Sequence, residues 1–220
     1  MTAPLRKVAY ERFKSRLFDR TLTPGSFVTQ RQLCDLLDSP MGAVREALKR
    51  LEAEGLINLL PQRGVQIADI NIKFINESFQ FRLLIEQEAA RRMARAPMTG
   101  CLGQLLERTS ELRARALDAS DEDADLLAEG LQVDLELHAL LVATFRNSLI
   151  ADTYQNIEDR VRLIRSNGAY SAGRLAVAME EHVEIIRAIL SGDEGGTVEA
   201  LTAHLTTSRR RALGEGEIGL

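Results

Sequence analysis

The chain has 220 residues, 45% of them hydrophobic, and a formal net charge of −4. This length allows one large domain or two small ones with real cores, and no run of about 18 apolar residues predicts a membrane-spanning helix. The charged N-terminus lacks the apolar region of a secretory signal, and two distant cysteines, Cys34 and Cys101, predict neither a disulfide nor a zinc site, so we expect a cytoplasmic protein without a membrane partner.

Charge is distributed unevenly along the chain. Residues 1–69 hold 11 Lys and Arg against 8 Asp and Glu, whereas residues 70–220 hold 17 against 24. A basic segment followed by an acidic one is typical of a DNA-binding domain attached to a body that does not contact DNA. We therefore expect a DNA-binding domain over 1–69 and a second domain over 70–220.

Three helices are predicted in the first domain. The first runs from about Pro4 to Asp19 and ends before a Thr-Pro-Gly break. Thr29-Gln-Arg-Gln32 has the form of a capping box and opens the second helix. The third extends from about Met41 to Glu54, where Gly55 ends it as the first residue beyond the helix.

A hairpin follows these helices. Leu56–Leu60 and Val65–Ala68 are short apolar stretches on either side of Pro61-Gln62-Arg63-Gly64. This pattern predicts two strands joined by a tight turn. Three helices and then a hairpin is the element order of a winged helix-turn-helix.

The second domain is predicted to be entirely helical from about Asn71 onward. Phe74, Phe81, Leu84 and Ile85 suggest the apolar stripe of its first helix, which Pro97 ends. Further helices are predicted at about 99–118, 122–145, 148–167, 172–191 and 195–212. The fold class is therefore mainly α, with a winged helix-turn-helix followed by an antiparallel bundle of six or seven helices.

The chain contains three histidines, all in the second domain. His138, His182 and His204 fall on the apolar sides of three different predicted helices, and Asp134 lies four residues before His138 on the same face. Imidazole and carboxylate together suit Zn²⁺, Mn²⁺, Ni²⁺ or Fe²⁺. A single histidine on an apolar face is usually an ordinary core residue, so the pattern alone leaves open both a metal site and three core histidines.

The third helix and the hairpin resemble the GntR family of transcriptional regulators. The resemblance rests on three segments in the family's order and spacing: Val44-Arg45-Glu46-Ala47-Leu48, Leu51-Glu52-Ala53-Glu54-Gly55-Leu56 and Pro61-Gln62-Arg63-Gly64. It implies that the third helix is the recognition helix of a DNA reader, and that operator DNA is a partner.

Five polar side chains are the candidate DNA contacts. Arg45 and Lys49 project from the side of the recognition helix opposite its apolar face, toward phosphates or base edges. The resemblance adds Arg31 at the start of the second helix, while Gln62 and Arg63 lie at the tip of the wing, where an arginine can enter a minor groove.

One segment departs from the family pattern. Many relatives have Ser-Arg-Thr-Pro before the Val-Arg-Glu-Ala-Leu segment, and that arginine often reads a guanine. Here Pro40-Met41-Gly42-Ala43 occupies these positions. We therefore do not transfer the family's common operator half-site to this chain.

The second domain resembles the FCD effector domain of the FadR-type GntR subgroup. The resemblance rests on segments that include Phe81-Arg82-Leu-Leu-Ile-Glu86, Asp134-x-x-x-His138, Asn147-x-Leu149, Glu181-His182-x-x-Ile185 and His204-Leu205. It implies a divalent metal, Zn, Mn or Ni, held by Asp134, His138, His182 and His204. It also implies a small carboxylate effector and a homodimer.

Three arginines are candidates to bind that effector. Arg82 matches a family arginine that faces the ligand cavity, and Arg162 and Arg165 are further candidates to hold a second carboxylate. We therefore expect a metabolite-responsive regulator, most simply a repressor. The alternative is a metal-dependent enzyme using the three-histidine, one-aspartate centre; the sequence shows no HExxH helix or nucleophile motif to support it.

Overall fold

The computed structural model describes residues 4–168 and 171–215. It divides into two compact units: the first contains residues up to Phe74 together with Asp159–Gly168, and the second contains Ile75–Glu158 and the residues from 171 onward. The predicted division into residues 1–69 and 70–220 did not anticipate that a segment near residue 160 belongs with the first unit.

The first unit has the order helix, strand, helix, helix, strand, strand. Its elements are α1 (Leu5–Phe18), β1 (Phe27–Val28), α2 (Gln30–Leu36), α3 (Met41–Ala53), β2 (Ile57–Leu60) and β3 (Gly64–Ile67). This arrangement confirms the predicted winged helix-turn-helix. The helices bury apolar side chains such as Phe13, Leu33 and Leu48 in a common core.

Local chemistry sets these boundaries. The Thr29 side chain accepts a hydrogen bond from the backbone N–H of Gln32, and the Gln32 side chain accepts one from the backbone N–H of Thr29, so the predicted capping box is formed. Gly55 follows Glu54, the residue that caps the C-terminal end of α3, and has φ +73°, a conformation that favours glycine.

The wing contains one more strand than predicted. The three strands form an antiparallel sheet in the order β1-β3-β2, and β1 is only two residues long. Gly64 begins the central strand with φ +91°, and a Cβ there would lie 2.8 Å from the carbonyl oxygen of Val28 on β1. Glycine therefore permits β1 to pair closely with β3; so short a strand leaves no alternating pattern for the sequence to show.

The second unit contains helices throughout its described residues. They are α4 (Ile72–Arg95), α5 (Thr99–Leu117), α6 (Ala124–Ala143), α7 (Ser148–Ser166), α8 (Ala172–Leu190) and α9 (Glu194–Ala212). The start of α4, up to Phe74, and the end of α7, from Asp159, belong to the first unit. The predicted helical bundle is confirmed, and each predicted boundary lies within about two residues of the observed one. None of the helices in the described ranges is long and apolar enough to span a membrane.

The predicted apolar stripe of α4 is confirmed at Phe74, which is buried, but it is wrong at Leu84. Leu84 is 72% exposed, whereas the buried face of α4 includes the charged residues Arg82 and Glu86. A pattern based on apolar residues cannot identify this face, because the two buried charges compensate each other through a hydrogen bond.

Helix α6 approaches α8 closely at Gly130. A Cβ at this position would collide with the buried side chain of Leu175 on α8. Gly130 precedes Asp134 by one helical turn, and Leu175 precedes His182 by two turns. The close approach therefore brings together the segments of α6 and α8 that carry candidate metal ligands.

Candidate functional site

The structure brings the four predicted metal ligands together. Asp134 and His138 come from α6, His182 from α8 and His204 from α9, and all four are buried. One ligand atom from each can be chosen so that the four atoms lie within 4.8 Å of one another. The i, i+4 spacing on α6 places the first two ligands on the same face.

The Nε2 atoms of the histidines point into this cluster. His182 Nε2 lies 3.3 Å from His204 Nε2 and 3.4 Å from Asp134 Oδ1. His138 Nε2 lies 3.8 Å from Asp134 Oδ1 and has no hydrogen-bond partner among the described residues. A buried ring nitrogen without such a partner is costly, and a metal ion would satisfy it.

Two carboxylates establish which nitrogens can bind a metal. His138 Nδ1 lies 2.6 Å from Glu86 Oε2, and His204 Nδ1 lies 2.7 Å from Glu181 Oε2. An ionised carboxylate only accepts hydrogen bonds, so each Nδ1 carries the proton. In the neutral ring, Nε2 then has a free lone pair, which is the form that a metal requires.

The local electrostatics favour this protonation state at His138. Burial lowers the pKa of His138, which keeps the ring neutral near pH 7. Burial alone would raise the pKa of Glu86, but the charge of Arg82 and the hydrogen bonds from Arg82 and His138 outweigh it and hold that pKa well below its usual range. Glu86 is therefore an anion in the core of the bundle.

The distances and the donor types fit a divalent metal. Ligand atoms bound to zinc at about 2.0–2.1 Å lie about 2.8–3.0 Å apart in octahedral geometry and about 3.3–3.4 Å apart in tetrahedral geometry. The two short separations at His182, 3.3 and 3.4 Å, are close to these values. Three imidazoles and one carboxylate suit Zn²⁺, Mn²⁺ or Ni²⁺. When bound, such an ion would supply positive charge and open coordination positions in the buried interior of the bundle.

The sequence reasoning assigned no role to Glu86, Tyr154 or Glu181. Glu86 accepts hydrogen bonds from Arg82 Nε at 2.6 Å and from the Tyr154 hydroxyl at 2.7 Å, in addition to its contact with His138. The sequence offered one usable signal, which is the i, i+4 spacing of Arg82 and Glu86. No spacing in the sequence connects Glu86 with Tyr154, because the residues lie on different helices.

The three candidate effector arginines are placed differently. Arg82 is buried in the second unit and is hydrogen-bonded to the Glu86 carboxylate, which also contacts His138. Arg162 and Arg165 lie on the part of α7 that belongs to the first unit, and the Arg162 guanidinium lies 4.0 Å from the centre of the Phe18 ring. The structure thus brings Arg82 into the metal cluster's surroundings and gives Arg162 a different contact. The role of the last two in effector binding stays a prediction.

The candidate DNA-contacting residues lie on the surface of the first unit. Arg31, Arg45, Lys49, Gln62 and Arg63 are all exposed. Arg45 Nε donates to Gln30 Oε1 at 3.1 Å, and Lys49 Nζ lies 2.8 Å from Glu46 Oε1. Gln62, with φ +64°, lies in the turn between β2 and β3. These side chains are accessible, as contact with DNA requires.

The comparison with known families agrees with both units. Residues 5–67 match the bacterial regulatory proteins of the gntR family, and residues 77–207 match the FCD domain. The chain therefore belongs to the GntR family, in the FadR-type subgroup that carries a C-terminal FCD domain.

Individual relatives are similar over nearly the whole chain. The HTH-type transcriptional repressor RspR of Escherichia coli (strain K12) is 24% identical over 204 residues, covering 93% of this chain and 87% of the relative. The uncharacterized HTH-type transcriptional regulator YdhC of Bacillus subtilis (strain 168) is 22% identical over 195 residues, covering 89% of this chain and 85% of the relative.

A solved structure shows the same fold. The crystal structure of a GntR-type transcriptional regulator from Rhodococcus sp. RHA1 has a TM-score of 0.77 with this chain at 17% identity, and covers 96% of this chain and 99% of the other. The family and these relatives place the chain among DNA-binding transcriptional regulators with an effector-binding domain, and not among enzymes.

Proposed function

We propose that this regulator responds to a small organic acid through one divalent metal ion held by Asp134, His138, His182 and His204. The observation that carries the proposal is the convergence of these four buried ligands from three helices. Four protein ligands leave positions for water or a bidentate carboxylate in an octahedral ion. We propose Zn²⁺, Mn²⁺ or Ni²⁺ as the metal.

Charge supports an anionic effector. A divalent cation together with Arg82, Asp134 and Glu86 carries one net positive charge. Arg82 Nη1 is buried and has no hydrogen-bond partner among the described residues. An oxygen of the effector's carboxylate would satisfy this donor, because charged donors prefer ionised acceptors.

We propose that the effector acts on a homodimer that represses transcription from operator DNA. Two recognition helices must lie about 34 Å apart to enter successive major grooves, so a small change in the dimer alters the fit. An effector shifts this equilibrium only by the difference in its affinity for the two states, and about 1–3 kcal/mol of coupling is typical. The need to read two half-sites supports the dimer, and the similarity to the repressor RspR supports repression.

DNA reading is assigned to the exposed side chains of α2, α3 and the wing, with Arg45 central among Arg31, Lys49, Gln62 and Arg63. Arg45→Ala is expected to weaken binding to a genomic duplex selected by the wild-type chain by about 1–3 kcal/mol, because it removes a charged contact with a base or phosphate. Fluorescence anisotropy measures the affinity. The matched control is Arg108→Ala, which replaces an exposed arginine of α5 and should leave the DNA affinity unchanged. An equal loss of DNA affinity in the two variants would contradict the assignment.

Metal binding is tested on the full chain after chelation. Adding Zn²⁺, Mn²⁺ or Ni²⁺ is expected to raise the melting temperature, because an ion that binds only the folded state stabilises it, by about 2.7 kcal/mol at 100 times Kd. His182→Ala should abolish most of this increase and lower the metal content measured by mass spectrometry. Asp125→Asn, an exposed acidic residue of α6, serves as the control. If none of the three ions changes the wild-type melting temperature, the histidines are core residues.

The effector class is tested with a panel of hydroxy acids, sugar acids and dicarboxylates. At least one compound is expected both to raise the melting temperature of the metal-loaded chain and to change its affinity for the selected duplex. Both effects should disappear after chelation and in His138→Ala, because the carboxylate binds to the metal. A compound that changes DNA affinity equally in the metal-free chain would show that sensing occurs elsewhere.

A further inference from the structure

Glu86 is a buried carboxylate that is not one of the four candidate ligands. Its Oε2 faces His138 Nδ1 at 2.6 Å, and its Oε1 accepts from Arg82 Nε and the Tyr154 hydroxyl. Its side chain is 0% exposed, so water does not compete for these contacts. Three donors from three helices thus fix the position of one carboxylate beside one metal ligand.

We infer that Glu86 is a positioning residue of the metal centre, an inference that rests on the proposed metal function. A neutral imidazole has two tautomers, and only the one with its proton on Nδ1 leaves Nε2 free for a metal. Glu86 selects this tautomer because an ionised carboxylate can only accept. It also fixes the orientation of the ring, because Arg82 and Tyr154 hold the carboxylate itself in place.

Glu181 forms a similar contact with His204 but in a different setting. Its side chain is 20% exposed, and its other oxygen lies 3.4 Å from Arg211 Nη2 near the bundle surface. Glu86 has the stronger constraint because it is fully buried and has three donors. We therefore assign to Glu86 the larger effect on metal affinity.

The test compares Glu86→Gln with the wild-type full chain. Glutamine keeps the size of the side chain but offers an amide donor to His138, which favours the wrong tautomer. Zinc affinity from competition titration is expected to fall about 10–100-fold, and the visible absorption spectrum of the Co²⁺-loaded chain is expected to change. Glu88→Gln is the matched control, because Glu88 lies on the same helix and pairs with Arg92 at the surface.

The outcomes separate this inference from the proposed function. If the wild-type chain binds no zinc, the proposed function fails. If the wild type binds zinc and Glu86→Gln has the same zinc affinity and the same Co²⁺ spectrum, only the role of Glu86 is overturned. A lower melting temperature of the variant does not change this conclusion, because a purely structural role would lower it too. If the single variant does not fold, because Arg82 is left as an unpaired buried charge, the same measurements are made on Arg82→Met/Glu86→Gln.

Helix α7 carries a separate set of buried contacts in the first unit. Lys14 Nζ on α1 lies 2.5 Å from Asp159 Oδ2, and the Asp159 side chain is 1% exposed. Arg20 donates to the backbone carbonyls of Ser166 and Gly168 just beyond. The last turns of α7 are therefore held against α1 by a buried ion pair and by hydrogen bonds to its C-terminal end.

Helix α1 in turn contacts the recognition helix. The Tyr10 hydroxyl donates to Glu54 Oε2 at 2.8 Å, and Arg50 Nε donates to Glu54 Oε1 at the same distance. The Arg50 guanidinium lies 3.8 Å from the centre of the Tyr10 ring, and Lys14 Nζ lies 5.2 Å from it. Tyr10 and Lys14 thus link Asp159 to the C-terminal end of α3 through contacts within one unit.

We propose that Asp159 positions the recognition helix and makes DNA affinity depend on the metal centre. α7 is one uninterrupted helix, and its residue Tyr154, five positions before Asp159, donates to the carboxylate that orients His138. A change at Glu86 therefore acts on the same helix that holds α1. This proposal rests on the proposed metal function. It shares the Tyr154–Glu86 hydrogen bond with the inference on Glu86, and its other contacts are those of Asp159 and α1 in the first unit.

The test measures DNA affinity of the full chain with and without Zn²⁺. The ratio of the two dissociation constants is expected to differ from one by at least about 5-fold in the wild type. In Asp159→Asn this ratio is expected to approach one, while the variant still binds zinc. Asp152→Asn, an exposed aspartate of α7, should keep the wild-type ratio.

A purely structural role of Asp159 would give a different result. Asp159→Asn would then weaken DNA binding equally with and without Zn²⁺ and keep the wild-type ratio, which overturns the proposal. A wild-type ratio of one in a chain that binds zinc also overturns it and leaves the metal site intact. Absence of zinc binding in the wild type would instead refute the proposed function.

Discussion

The buried carboxylate of Glu86 is the constraint around which the helical domain is arranged. A charge in a protein interior is strongly unfavourable unless oppositely charged or hydrogen-bonding groups compensate it. Arg82 supplies the opposite charge, while Tyr154 and His138 supply further donors, so helices α4, α6 and α7 must meet where these side chains meet. An apolar core packs the rest of the domain, and this polar network adds the specific contacts between α4, α6 and α7.

The same network gives the candidate metal centre its properties. Burial keeps His138 neutral, and a neutral ring with its proton on Nδ1 presents the Nε2 lone pair to a cation. A divalent ion there would leave excess positive charge, which an organic acid can balance. A site of this kind needs no catalytic group, and it suits a sensor because the ligand's charge is felt strongly where water is scarce.

The DNA-reading unit relies on different physics. Its basic side chains are exposed, and its fold depends on a small apolar core, a capping box and three glycines with positive φ. Burial within this unit extends to Asp159, a residue of a helix that begins in the other unit. Helix α7 has residues in both units, as α4 does, and Asp159 lies on the part of α7 that belongs to the first unit.

The sequence by itself determined the helices, the wing and the identity of the four candidate ligands. These features are local: Thr29 and Gln32 form a cap three residues apart, Gly55 ends a helix, and Asp134 and His138 share a helix face at any position in a fold. Tertiary structure alone decided which face of α4 is inside, since Leu84 is exposed and Glu86 is buried. It also decided the contacts of Tyr154 and Asp159, because their partners lie 68 and 145 residues away in the chain. Whether a charge can be buried depends on compensation by such distant groups, and no periodicity in the sequence records it.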